Sequence, residues 1–314
     1  MRDPRRSRPP SNSAWTLTDG SFVRIGSGSF RMGSNDAYPE EAPSHERYVE
    51  SFLIAASPVT NLAFARFVLA TNYLTVAERV LPQSVSHGLD AALRMPGSAV
   101  FLPPGEADDV EEGAWWSFVA GACWHAPQGP GTSIIDKPQH PVVHVALPDA
   151  LAYCEWAKVR LPTEVEWEFA ARSGLDSDTA FAWGSELRPT GRVMANHWQG
   201  EFPSKPTSGN RGGTSAVGEF PPNQLGLYDM IGNVWEWTST EFTERHVTDS
   251  CCGHASTTDP LQQGGRTMTL KGGSYLCSEN YCSRYRPSAR IPQPEYYSAS
   301  HIGFRVAADF KQRN

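Results

Sequence analysis

The chain has 314 residues, 39% hydrophobic content and a formal net charge of −7. That length buries a substantial core without disulfide staples, and the acidic balance argues against a nucleic-acid partner. No run approaches the ~18 consecutive apolar residues of a membrane helix, and the N-terminus lacks the apolar centre of a secretory signal, so a soluble, cytoplasmic protein with no membrane partner is expected.

Ten Trp, ten Tyr, 27 Gly and 25 Pro predict many short elements joined by loops. Residues 1–18, where Arg2, Arg5, Arg6 and Arg8 stand among Pro and Ser, read as a disordered, solvated tail. No internal repeat or compositional linker divides residues 19–311, so they are expected to form a single domain. Order begins at 22–25, and with 29–33 this stretch reads as a hairpin. Thr60 caps a helix over 61–70 that presents Phe64, Phe67 and Val68 on one face. Residues 80–113 read as an insertion. A second helix opens at Pro148-Asp149 and turns Leu151, Cys154 and Ala157 inward, which makes Cys154 a core residue. Thr163-Glu164-Val165-Glu166 is a capping box that starts a third helix running to about Arg172, so Glu164, Glu166 and Glu168 are read as helix-start charges. From 181 to 310 no helical period survives, and irregular loops around short strands are expected.

The strongest lead to chemistry is the pair Cys277 and Cys282, which suggests a soft-metal site. Residues five apart meet one ion only if the chain bends between them, and Ser278-Glu279-Asn280 is turn chemistry that allows the bend. Spacing does not separate copper from zinc. The six cysteines fit a reduced compartment. Cys251 and Cys252 read as loop thiols, with a four-cysteine zinc site shared with Cys277 and Cys282 as the lesser alternative. His140 and His144 have the spacing of a helical metal pair, but Pro141, Val142 and Val143 favour a strand, which separates the rings. Asp229 and Glu236 bracket a glycine turn, and an ordinary turn and a hard-cation site remain equally open there.

Four segments in order carry a resemblance: Arg160-Leu161-Pro162-Thr163-Glu164-Val165-Glu166-Trp167-Glu168-Phe169-Ala170-Ala171-Arg172, Ala195-Asn196-His197-Trp198-Gln199-Gly200, Gly232-Asn233-Val234-Trp235-Glu236-Trp237 and Gly272-Gly273-Ser274-Tyr275. The chain resembles the formylglycine-generating enzyme (sulfatase-modifying factor) family from about Phe22 to Ala308. That likeness implies an α+β fold, a variant of the C-type-lectin-like fold with little regular secondary structure and stabilised by calcium. It implies calcium ligands at Asp229, Glu236 and the carbonyls of Gly232 and Val234, and a second calcium site at Asn196 and the His197 carbonyl. The acidic partner of that second site falls in 208–212, where the sequence offers no carboxylate.

The likeness also implies that Cys277 and Cys282 hold copper(I), as soft thiolates select. Dioxygen is then activated beside the target cysteine of a sulfatase segment, and an external thiol supplies electrons. Ser274, Trp235, Tyr275 and Ser298 match the family's pocket, and Arg284, Arg286, Arg290 and Arg305 match its arginine frame, expected to brace the loops through ion pairs. Val306 stands where the family's disulfide partner of Cys154 would be. The departures gather at the site: Ser278 replaces a histidine, 293–298 replaces the usual groove sequence, and His301 replaces an asparagine. His301 is a metal ligand by type and a proton carrier near neutral pH, so it is expected to alter coordination, proton delivery or both.

Three functions follow. The first is a copper-dependent oxidase that converts a sulfatase cysteine to Cα-formylglycine. The second keeps the copper oxidase and changes the substrate to another peptide, a small-molecule thiol or an amino acid. The third is a non-enzymatic ligand-binding module displaying Tyr296 and Tyr297.

Overall fold

A computed structural model describes residues 22–81, 94–104, 113–175, 179–207, 212–246 and 265–310. The predicted tail, Cys251, Cys252, parts of 80–113 and most of 208–212 lie outside the described residues.

The fold is mixed α and β, with short elements and long loops, as the aromatic- and glycine-rich composition predicts. Strands β1 (Phe22–Ile25) and β4 (Phe52–Ala55) pair antiparallel, and β13 (Ala307–Asp309) joins the other edge of β4. Strand β2 (Gly28–Met32) pairs instead with β3 (His45–Val49), so the expected hairpin of the first two strands does not form. Each strand takes a partner that turn signals between the two could not reveal. Helix α1 (Asn61–Thr71) follows, with the Thr60 hydroxyl accepting from Ala63 N–H at 3.2 Å, and Phe64 and Phe67 buried.

The stretch read as an insertion contributes a strand to the body: β5 (Gly97–Phe101) pairs with β6 (Trp116–Ala120). Helix α2 (Leu147–Ala157) buries Ala150, Tyr153 and Cys154, whereas Leu151 is exposed, a correction to its expected inward place. Cys154 is a free thiol in the core. Helix α3 (Glu164–Arg172) opens with the predicted box, Thr163 Oγ1 accepting from Glu166 N–H while the Glu166 carboxylate takes Thr163 N–H at 2.8 Å.

Two minor strands, β7 (Gly200–Glu201) and β8 (Lys205–Pro206), precede the sheet that carries the candidate site. Its order is β11 (Arg290–Pro294), β10 (Thr267–Lys271), β9 (Trp235–Glu241) and β12 (Ile302–Gly303), with β12 parallel to β9. Helix α3 packs against β9 and β10 and buries Trp167. Among the described residues no helix is long and apolar enough to cross a membrane.

Buried ion pairs tie the loops to this sheet. Glu164 and Glu166 stand in the first turn of α3 as expected, whereas Glu168 lies beyond it, and Glu164 and Glu168 also join a buried network: Glu168 meets Lys271 and Arg172, both at 2.8 Å, and Glu164 meets Arg290 at 2.7 Å. The Lys271 and Arg172 charges overcome burial and hold the Glu168 carboxyl down at about 2. Arg284 pairs with Glu40, Arg286 with Glu41 at 2.6 Å, and Arg305 with Glu236 at 2.6 Å. The four arginines do the bracing expected of them.

Candidate functional site

The connection between β10 and β11 holds both site cysteines. It leaves β10 through Gly272 and Gly273 at positive φ; a Cβ on Gly273 would sit 2.7 Å from the Arg284 carbonyl oxygen. Glycine there lets residue 284 return against residue 273, which folds the loop on itself. The bend at 278–281 forms as predicted, with Tyr281 N–H donating to the Ser278 carbonyl and the Ser278 hydroxyl donating to Asn280. Asn280 is in turn fixed to the backbone of Phe202 at 3.2 Å in both directions.

The bend brings the two thiols into contact. The Cys277 thiol donates to the Cys282 sulfur, which lowers Cys282 and, with burial, pushes Cys277 well up; Arg284 lowers both. Ser274 N–H donates to Cys277 Sγ at 3.4 Å. Cys277 is 2% exposed while Cys282 is only partly covered, so solvent approaches the pair from the Cys282 side. A buried thiol sharing its proton with a neighbour beside a guanidinium is a donor set that fits a soft monovalent ion.

The other predicted pocket residues lie on adjoining segments. Tyr275 N–H donates to the Asn233 carbonyl, and its hydroxyl reaches the carbonyl and hydroxyl of Ser300, each at 3.2 Å. Trp235 N–H donates to the His301 carbonyl. The ring of His301 lies 4.6 Å from that of Trp116, and its Nδ1 is buried without a partner. Burial, then the nearby His144, pushes His301 down to about 3, so it is a neutral imidazole near pH 7.

Two residues that sequence reasoning did not place at the site connect to Ser298. His144 has φ of 59°, is fully buried, and does not lie in the expected strand; the left-handed turn points its ring inward. Its Nε2 is 2.9 Å from the Pro127 carbonyl, so that nitrogen donates, and burial holds the ring neutral at about 4. Nδ1 therefore accepts from the Ser98 hydroxyl at 2.8 Å, and Ser98 Oγ accepts from Ser298 at 2.8 Å. The Ser298 proton is committed, which leaves its oxygen an acceptor. Ser98 belongs to the stretch read as an insertion, and proline beside two valines masked the turn at His144.

The proposed calcium ligands are arranged less simply. Both Glu236 oxygens are taken by Arg305, at 2.6 and 2.7 Å, and Trp167 Nε1 adds a bond at 2.7 Å. Asp229 accepts from Gly218 N–H at 2.9 Å, and burial chiefly, with the Glu236 charge adding, raises it to about 6. Two buried carboxylates thus face one guanidinium, so a cation fits the uncompensated charge. Asn196 donates to the Gly213 carbonyl and to Asn233, and the His197 carbonyl accepts from Gln199.

Residues 9–310 match the family model of the sulfatase-modifying factor enzyme 1-like domain. A formylglycine-generating enzyme of Mycobacterium tuberculosis is 50% identical over 298 residues, covering 92% of this chain and 97% of the relative. A bovine protein named inactive Cα-formylglycine-generating enzyme 2 is 41% identical, covering 91% and 87%. Among solved structures, PvdO of Pseudomonas aeruginosa superposes with a TM-score of 0.59 at 23% identity, covering 92% of this chain and 94% of PvdO, a likeness of fold alone. The chain belongs to the sulfatase-modifying factor family of formylglycine-generating enzymes.

Proposed function

We propose that this chain is a copper-dependent oxidase that uses dioxygen to convert a peptidyl cysteine of a sulfatase to Cα-formylglycine. The observation that supports the reading most is the contact between Cys277 and Cys282, with Cys282 only partly covered. These two thiolates would hold copper(I), which when bound supplies the site of dioxygen activation. The substrate cysteine gives two electrons and two external thiols, joined as a disulfide, give two more, so that one dioxygen is consumed as the thiol becomes an aldehyde with release of one hydrogen sulfide and one water. Ser274 N–H orients the Cys277 sulfur, Tyr275 and Trp235 wall the pocket, and Ser298 offers an acceptor for a substrate N–H or S–H.

The same reading takes the fold as a C-type-lectin-like variant stabilised by calcium at Asp229, Gly232, Val234 and Glu236, with Asn196 and His197 as a second site. The unpaired cysteines among the described residues support a reducing, cytoplasmic setting.

Copper(I) titration of the reduced protein, followed by mass spectrometry of a Cys-x-Pro-x-Arg peptide, tests the proposal. Loss of the thiol mass and gain of an aldehyde is expected; an unchanged peptide with copper bound rejects it. A second reading, the same oxidase with a different substrate, is favoured by the unpartnered Nδ1 of His301 beside Trp116. Oxygen uptake with small thiols or amino acids but not with the peptide supports that one.

A further inference from the structure

A second gathering of ligand side chains lies away from the thiol pair in sequence and comes from two facing turns. In the turn Val76–Glu78, Thr75 N–H and the Thr75 hydroxyl donate to Glu78 Oε2 at 3.0 and 2.7 Å. Those bonds fix the carboxylate and leave Oε1 turned toward His125 Nε2, 3.2 Å away. The second turn is closed by reciprocal backbone bonds between Cys123 and Ala126, which hold Cys123 and His125 on the same side as Glu78. One ligand atom from each of Glu78, Cys123 and His125 lies within 4.8 Å of both others.

We propose that Glu78, Cys123 and His125 form a site for a divalent transition metal of the zinc class, with three protein ligands and a fourth position open to water. The geometry needs little adjustment. Metal bonds of about 2.3 Å to sulfur and about 2.0 Å to nitrogen or oxygen set the donors roughly 3.5 Å apart, which His125 and Glu78 already meet at 3.2 Å, so any closure falls to the Cys123 sulfur, within 4.8 Å of both. The His125 side chain is 52% exposed, which leaves the fourth position open to water. Cys123 is 3% exposed, and Thr75 already orients the carboxylate as an outer partner of a metal ligand does.

The ligand chemistry points the same way: a divalent cation draws a thiolate from Cys123 beside the Glu78 carboxyl group and releases the thiol proton. The thiolate excludes calcium and magnesium, and the mixed sulfur, nitrogen and oxygen set suits zinc better than copper(I), which the two-thiol pair favours. Binding would clamp the Val76–Glu78 turn to the turn at 123–126. The Pro127 carbonyl that receives His144 follows directly.

The experiment uses the full reduced chain carrying Cys277→Ser and Cys282→Ser, with cobalt(II) as the probe and zinc(II) as competitor. A thiolate-to-cobalt charge-transfer band is expected, saturating at one ion per chain and bleached by zinc. Cys123→Ser should abolish the band. His125→Ala, a surface change whose fold is checked by circular dichroism, should weaken cobalt binding by at least about tenfold. Zinc should raise the Tm of the parent more than that of His125→Ala at the same concentration. Absence of the band, or a band unchanged in both variants and therefore owed to other thiols, overturns the site.

Discussion

At the residue scale, His301 shows what the sequence discloses and what it withholds. The family resemblance singled it out through the Gly303-Phe304-Arg305 segment that follows, but its burial and the nearness of His144, which hold its ring neutral, are revealed by no spacing. A histidine held down to about 3 in the folded chain and near 6.5 unfolded contributes stability above pH 6.5 and loses it as pH falls toward 3. Asp229 and Asp149, both raised to about 6, push the other way, so the whole-protein slope mixes signs. The difference between parent and variant isolates the ring. His301→Asn should lose less stability than the parent between pH 6 and 4, by up to ~1.4 kcal/mol per pH unit. Urea unfolding at each pH measures this, and parallel slopes would contradict a buried neutral imidazole.

Cys277 and Cys282 were legible because the residues that bend the chain stand between them. His144 was misread because its left-handed turn follows two β-branched residues, a local preference that tertiary packing overrides.

At the scale of elements, local signals carried the helices and long-range partners did not. The caps at Thr60 and Thr163 appear where hydroxyl and carboxylate spacing put them. Strand pairing was unreadable, since β1 pairs with β4 rather than β2 and β13 returns to the far edge of β4, and Leu151 faces outward because α2 packs through Ala150, Tyr153 and Cys154. Ion pairs join these elements, and Arg305 with Glu236 links β9 to the last loops. Glu236→Ala strands a fully buried guanidinium and should cost about 3–5 kcal/mol in urea unfolding, as removal of one partner of a buried pair does. A loss under ~1 kcal/mol would mean that Arg305 finds water or another anion. Arg172→Ala should be milder, because Glu168 keeps Lys271.

On the scale of the whole molecule, buried ion pairs tie long loops to the sheet, and the proposed calcium at Asp229 and Glu236 would add to that hold. Calcium at about 100 times its Kd should stabilise the protein by about 2.7 kcal/mol, seen as a Tm that falls on chelation and recovers with calcium but not magnesium. A Tm indifferent to chelation would leave Arg305 as the sole counter-charge.

Metal content decides the catalytic centre most directly. Protein purified under reducing conditions should bind copper(I) at one ion per chain, and Cys277→Ala should lose that copper together with peptide conversion. Full copper retention by the folded Cys277→Ala protein, or conversion of the peptide without copper, would contradict a two-thiol copper site.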